Sequence, residues 1–131
     1  MDGKPLFDRL LAPTRIYVRS MLALAQAMPV HGFAHITGGG LTDNIPRVLP
    51  DHLGVSLKRD AWHRDPVFDW LQRAGGIADA EMHRTFNCGI GMVVIVAKDQ
   101  AEAALQLLRN QGETATLIGE VRNGHGDVVI A

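Results

Sequence analysis

Three consecutive glycines at residues 38–40 constrain the fold of this chain more than any other feature of its sequence. They follow an apolar run at residues 33–36 and precede three short polar residues, 42–44, of types that favour the start of a helix. This order predicts a strand, a glycine loop and a helix in succession. Such a loop can turn several backbone N–H groups toward one point, where they can bind an anion such as a phosphate.

The glycine loop also has a purely structural interpretation. Glycine is required wherever a tight turn needs a backbone conformation that other residues avoid. The segment lacks the Gly-Lys-Ser/Thr ending of a P-loop and does not form the dinucleotide-binding fingerprint. Neither of these standard nucleotide folds therefore explains the loop.

Length and composition predict one globular domain. The chain has 131 residues, of which 47% are hydrophobic and 21% charged. Its net charge of -1 argues against binding to nucleic acid or to an acidic membrane surface through bulk charge. We expect no signal peptide, and the longest purely apolar run, residues 92–97, is too short to span a bilayer. The single cysteine, Cys88, cannot form an internal disulfide, which predicts a cytoplasmic location.

The hydrophobic pattern predicts helices and strands that alternate along the chain. The predicted helices are residues 14–28, a short one from about 42, 66–74, 79–86 and 99–110, and the predicted strands are 30–36, 54–59, 92–97, 114–121 and 127–130. Strand 92–97 is continuously apolar, which predicts a central strand covered on both faces. Residues 123–126 suit a hairpin between the last two strands. The predicted fold is an α/β (α+β) single domain with a mixed β-sheet packed with helices.

Three side chains beside the glycine loop are candidates for binding or catalysis. His35 lies two residues before the loop and could act there as a hydrogen-bond donor or acid–base group, although a histidine satisfied within the core is the alternative. Arg47 could form forked bonds to a phosphate or carboxylate, or be an ordinary surface arginine. Asn44 is either a ligand-binding residue or only a first-turn helix residue. His31 could share a strand face with His35, but no third ligand stands at a characteristic spacing, so no metal site is predicted.

A second glycine-bearing turn, at residues 85–91, leads directly into the apolar strand at 92–97. Strand ends at the edge of a parallel sheet collect ligand-binding groups in α/β folds, and Asn87 is the candidate polar group there. Cys88 could be a nucleophile, but the sequence assigns it no base. A small buried thiol is the favoured interpretation.

Four segments are specific enough in combination to indicate a family. They are AHITGGG at residues 34–40, NIPRVLP at 44–50, TFNCGIGM at 85–92 and LLAPTRIYV at 10–18. Together they resemble the C-terminal domain of the phosphoribosylformylglycinamidine cyclo-ligase family, also called aminoimidazole ribonucleotide synthetases. The resemblance runs from about residue 2 to residue 130.

The resemblance implies an ATP-dependent ring closure in de novo purine biosynthesis. In that family ATP activates the formyl amide oxygen of formylglycinamidine ribonucleotide as an iminophosphate, and an amidine nitrogen then closes the imidazole ring. The family uses Mg²⁺ and forms homodimers, and its N-terminal domain supplies much of the nucleotide and metal site. Residues 1–131 then correspond to the C-terminal domain, with 1–12 as the inter-domain segment. The N-terminal ATP-binding and dimerisation domain is expected to be absent, and the chain alone is expected to be inactive.

The resemblance also implies roles for individual residues. His35 would be the catalytic group, facing the substrate as a polar or acid–base side chain. Substrate or phosphate would be bound by Thr37, Gly38, Gly39, Gly40, Asn44, Arg47 and Asn87.

Two other functional interpretations stay open. One is the C-terminal domain of another enzyme of the same ATP-dependent superfamily, and the other is a stand-alone module that binds a phosphorylated metabolite. The expected partners are the ribonucleotide substrate, the chain's own N-terminal domain and a second copy of the full-length enzyme, with no nucleic acid and no membrane.

Overall fold

The computed structural model describes residues 3–131, in which each predicted helix and strand has a counterpart and one further α-helix lies at residues 6–10. The helices are α1 (Leu6–Leu10), α2 (Val18–Ala27), α3 (Gly40–Asn44), α4 (Pro66–Gly75), α5 (Asp79–Thr85) and α6 (Ala101–Asn110), and the strands are β1 (Gly32–His35), β2 (Leu53–Leu57), β3 (Met92–Ile95), β4 (Gly119–Asn123) and β5 (Val128–Ile130). The predicted fold class, a small α/β domain with mixed strand pairing, is confirmed. No helix within residues 3–131 is long and apolar enough to cross a membrane.

The strands form two sheets rather than a single one. β1 pairs with β3 in an antiparallel ribbon, in which Gly32 lies opposite Ile95 and His35 opposite Met92. The second sheet has the order β4-β2-β5, with β4 antiparallel and β5 parallel to β2. The prediction that residues 92–97 form a central strand is therefore wrong, because within residues 3–131 β3 pairs only with β1. The two faces of β3 are instead covered by side chains of the two apolar clusters that pack against the ribbon.

The predicted hairpin between the last two strands is also wrong. β4 and β5 lie on opposite sides of β2, so the turn between them passes the end of β2. The N–H of Gly124 donates to the His52 carbonyl at 3.1 Å, and that of Gly126 donates to the Leu53 carbonyl at 2.8 Å. A Cβ on Gly54 would lie 2.5 Å from Oδ1 of Asp127, so the turn can pass this close only over a glycine.

Two apolar clusters pack on opposite faces of the β1–β3 ribbon. Alternate residues of a strand point to opposite faces, so Ala34 joins one cluster and Phe33 the other. The first cluster also contains Leu41 and Ile45, which are 0% and 1% exposed. The second is built around Leu24 of α2 with Ala104 and Leu108 of α6. A two-stranded ribbon is marginal by itself, and this two-sided packing fixes the glycine loop that follows β1.

Candidate functional site

A cleft of about 920 Å³ lies between the N-terminal segment, α4 and the neighbouring ends of β1 and β3. Its volume is in the range of small-molecule sites. Three of the predicted site residues line it, namely His35, Thr37 and Asn87. They meet because β1 and β3 are antiparallel, which places the residues after β1 beside those before β3. The expectation of a parallel sheet edge at Asn87 is wrong, because the strands that meet there are antiparallel.

His35 lies on the exposed side of β1, so the interpretation of a core histidine is wrong. Its neighbours Ala34 and Ile36 are each 3% exposed and point into the core, which turns the intervening imidazole outward. The ring packs edge-on against Tyr17, with the ring centroids 6.0 Å apart and the planes at 71°. The imidazole thus reaches the cleft with an aromatic neighbour on one side.

The structural interpretation of the glycine loop is confirmed at Gly40. Gly40 has a φ of +58°, and a Cβ there would lie 2.1 Å from the His83 carbonyl oxygen and 2.6 Å from that of Phe86. Its N–H donates to the Thr37 carbonyl at 3.0 Å, so this group is not available to an anion in this conformation. The N–H groups of Gly38 and Gly39 have no acceptor among residues 3–131. The expected contribution of N–H groups to a phosphate thus stays a prediction for those two glycines.

Asn44 holds the glycine loop from inside. Its side chain is buried, and Nδ2 donates to the Gly40 carbonyl at 2.9 Å and to those of Thr37 and Gly38 at 3.3 Å. Its Oδ1 accepts a bond of 3.1 Å from Nη1 of Arg47. These contacts use both ends of the amide, so a direct contact between Asn44 and a ligand would have to break them.

Arg47 is exposed and continues from Asn44 toward solvent. None of the ion pairs formed within residues 3–131 includes its guanidinium. Neither Arg47 nor the glycines 38–40 line the cleft itself. The predicted residues therefore fall into two groups, one in the cleft and one in the adjoining loop, and their roles toward a ligand stay predictions.

The second glycine-bearing turn is a compact structure with a buried thiol. Oδ1 of Asn87 accepts the N–H of Gly89 at 3.0 Å, and the Asn87 carbonyl accepts that of Ile90 at 3.0 Å. Cys88 is 0% exposed and has a φ of +51°, and its Sγ donates to the Met82 carbonyl at 3.5 Å. Burial raises the pKa of the Cys88 thiol, which disfavours the reactive thiolate. The prediction of a small buried thiol is confirmed.

The N-terminal segment contributes cleft residues that the sequence argument missed. Nη1 of Arg9, on α1, lies 2.7 Å from each carboxylate oxygen of Asp65. Asp65 also accepts the N–H of Val67 at 2.9 Å and so caps α4, as the Asp-Pro signal predicted. The Val67 bond, followed by that of Arg9, lowers the pKa of the Asp65 carboxyl. The cap has a local signature, but no local signal reveals that residue 9 docks on residue 65.

Residues 3–131 contain no group of three His, Cys, Asp or Glu side chains that could hold a metal ion. His31 and His35 are both exposed, but they gain no third ligand there. Beside the glycine loop, the predicted site residues supply the imidazole of His35 and the guanidinium of Arg47, and Arg9 and Arg15 also line the cleft.

Comparison with known proteins gives a consistent result over nearly the whole chain. The model of the family described as "AIR synthase related protein, C-terminal domain" matches residues 2–131. Among similar proteins, the phosphoribosylformylglycinamidine cyclo-ligase of Cupriavidus metallidurans is 58% identical over 120 residues, which are 92% of this chain and 34% of that protein. Those of Nitrosospira multiformis and Burkholderia ambifaria are 54% and 55% identical, over 95% and 98% of this chain and 36% and 38% of their own lengths. The chain therefore spans little more than a third of these relatives, and it belongs to the family of AIR synthase related proteins as their C-terminal domain.

Proposed function

We propose that this chain is the C-terminal part of an ATP-dependent cyclo-ligase that converts formylglycinamidine ribonucleotide to aminoimidazole ribonucleotide. One observation carries the proposal. Three proteins named phosphoribosylformylglycinamidine cyclo-ligase are 54–58% identical to this chain over 92–98% of its length. The chain alone is proposed to be inactive, because the residues described here make only part of a phosphoryl-transfer site.

The geometry of the cleft supports this role. Ring closure requires an oriented substrate and stabilisation of charge on the transferred phosphoryl group. In the proposal, His35 faces the substrate as a polar or acid–base group, with Thr37 and Asn87 as neutral hydrogen-bonding neighbours. Arg47 and the N–H groups of residues 38 and 39 bind phosphate at the adjoining loop. Asn44 holds that loop in place.

ATP and Mg²⁺ are the proposed cofactors of the complete enzyme. The residues described here do not fit a metal site, since no three potential ligands converge among them. We therefore propose that both groups are bound mainly by the part of the enzyme that precedes this domain. The cytoplasm, where purine biosynthesis takes place, is the proposed location.

An apolar groove beside the cleft supports a contact with the N-terminal domain of the complete enzyme. The groove has a volume of about 530 Å³ and follows one side of α2. Ile16 is 84% exposed, Val18 63% and Leu22 56%, which is unusual for three neighbouring aliphatic side chains. We propose that the N-terminal domain covers this groove and that the complete enzyme forms a homodimer mainly through that domain.

A chimera tests the proposed function. This chain replaces the matching segment of the Cupriavidus metallidurans relative, and ATP-dependent ring closure is measured for the chimera, the parent relative and the chain alone. We expect turnover by the chimera and none by the chain. Turnover by the chain alone would contradict the proposal that it holds only part of the active site. A folded chimera without turnover, beside an active parent, would contradict the proposed cyclo-ligase function.

Two substitutions in the chimera test the roles of the site residues. His35→Ala is expected to lower kcat by about a hundredfold and Arg47→Ala by about tenfold, with little change in melting temperature. Both side chains are exposed, so neither change removes core packing. A collapse of the melting temperature in the His35 variant would instead show a structural role.

Tight binding of a ribonucleotide by the chain alone, measured by calorimetry, would favour the stand-alone binding module.

A further inference from the structure

We infer that Glu113, which lies outside the cleft, is a positioning residue for His35 and acts through Arg15, Ser20 and Tyr17. The inference rests on the proposed function in one respect, namely that His35 acts on the ligand. The contacts that carry it join two segments more than 90 residues apart in the sequence.

Glu113 fixes the beginning of α2. Its side chain is 11% exposed, and its two carboxylate oxygens have different partners. Oε2 accepts from Nε of Arg15 at 2.6 Å, and Oε1 accepts from the buried hydroxyl of Ser20 at 2.7 Å. Arg15 also donates from Nη2 to the Gly112 carbonyl at 3.0 Å. Charge-assisted bonds of this kind are short and directional. Residues 112 and 113 therefore hold the chain on both sides of residue 17, at Arg15 and at Ser20.

The anchoring from Glu113 replaces a local helix cap. Tyr17 is the residue before the first turn of α2, and its side chain makes no capping bond. No acidic residue lies in that first turn either. The carboxylate of Glu113, which lies just beyond the C-terminal end of α6, therefore supplies the negative charge that favours a helix N-terminus. The backbone position of Tyr17 depends on this distant group.

Tyr17 in turn packs against the end of the β1–β3 ribbon. Its ring meets that of His35 edge-on, and a Cβ on Gly91 would lie only 1.9 Å from its hydroxyl oxygen. The Gly91 carbonyl accepts the N–H of Ile36 at 2.9 Å, so the hydroxyl rests on the strand pairing itself. Burial and the charge of Glu113 raise the pKa of Tyr17, which keeps the phenol neutral. The tyrosine ring is thus held against one side of the exposed imidazole and limits its rotation.

Glu113→Gln tests the inference by NMR on the chain itself. Tyr17 and His35 ring protons are expected to show a nuclear Overhauser effect in the unsubstituted chain, and this signal falls by at least about half in the variant because the amide cannot hold Arg15 as a carboxylate does. Glu102→Gln makes the same charge change on an exposed position of α6 and should leave the signal intact. Glu113→Asp keeps the charge and should recover part of it. An unchanged signal in Glu113→Gln would overturn the inference.

A second substitution keeps the test decisive if Glu113→Gln fails to fold. Arg15→Gln changes a side chain that is 55% exposed and removes the same link to Glu113, and the same loss of signal is expected.

In the active chimera, Glu113→Gln should lower kcat several-fold more than it changes KM, and Glu102→Gln should leave kcat and KM unchanged. A lost ring contact with unaltered kcat would overturn the positioning role. If the unsubstituted chimera shows no ring closure, the proposed function fails, whereas the ring contact still tests the positioning by Glu113.

Discussion

Gly38 and Gly40 are two residues apart in one loop, yet their surroundings differ completely. Gly38 is exposed, and a Cβ there would meet no atom within 4 Å. Gly40 is buried with a positive φ, and its Cα faces the carbonyls that end α5. The first glycine leaves room for a ligand, and the second lets the loop approach the helix behind it.

Substitution of these two glycines by alanine separates the two roles. We expect Gly40→Ala to lower the free energy of unfolding by about 2 kcal/mol or more, since it adds left-handed backbone strain to a clash with main-chain oxygens that cannot rotate away. Gly38→Ala is the matched control and should change it by about 0.5 kcal/mol at most. Urea denaturation of both variants measures the difference. Equal effects would show that the loop does not pack against α5 as described.

At the scale of elements, α5 lies behind the glycine loop, and its first turn takes part in a partly exposed ionic cluster. Asp79 at its first turn pairs with Arg59 at 2.6 Å, and the Nδ1–H of His83 donates to the Asp79 carbonyl at 3.0 Å. Arg64 lies 3.9 Å from the Asp79 carboxylate. His83 is 4% exposed. The same helix turn therefore contains a titratable ring and the carbonyl that Gly40 contacts.

Stability of the chain should decrease in mildly acidic solution because of His83. Burial lowers the pKa of this imidazole below its ordinary value, so the unfolded chain takes up a proton at a pH at which the folded chain does not. The stabilisation that the neutral ring provides is fully present above the pKa of histidine in the unfolded chain, which is about 6.5. It is lost as the pH falls from that value toward the lower pKa of His83 in the folded chain. We expect the free energy of unfolding to fall between about pH 7.5 and pH 5.5.

The variant His83→Gln checks this assignment. It removes the titrating ring, so its free energy of unfolding should depend less on pH over the same interval. The Arg59 guanidinium lowers the pKa of Asp79, whose contribution is lost only at more acidic pH, below the ordinary carboxyl value of about 4. The same slope in the variant and the unsubstituted chain would rule His83 out as the cause.

At the scale of the whole molecule, α2 separates the core from an uncovered surface. Leu24 is 0% exposed and packs with Ala104 and Leu108 of α6. Leu22, on the other side of the same helix, is 56% exposed at the apolar groove. If the N-terminal domain covers the groove, Leu24 stabilises the fold of this domain, whereas Leu22 stabilises its contact with the N-terminal domain.

Leu22→Ala and Leu24→Ala test that division. In the chain alone, Leu24→Ala should cost about 2–5 kcal/mol of unfolding free energy, and Leu22→Ala about 0.5 kcal/mol or less. In the chimera, Leu22→Ala should also lower the melting temperature, because the new contact would lose a buried side chain. Thermal denaturation of both proteins measures the effect. A chimera insensitive to Leu22→Ala would contradict the proposed covering of the groove.

The sequence by itself determined the local structure and the family. The Asp65 cap and the glycine loop act over a few residues, and the combination of short motifs indicated a family that the comparisons confirmed. Only the tertiary structure decided the split into two sheets, the position of β2 between β4 and β5, and the distant pairs of Arg9 with Asp65 and Arg15 with Glu113. Backbone preferences extend over one or two turns, whereas strand order and distant ion pairs depend on how all apolar faces are buried at once.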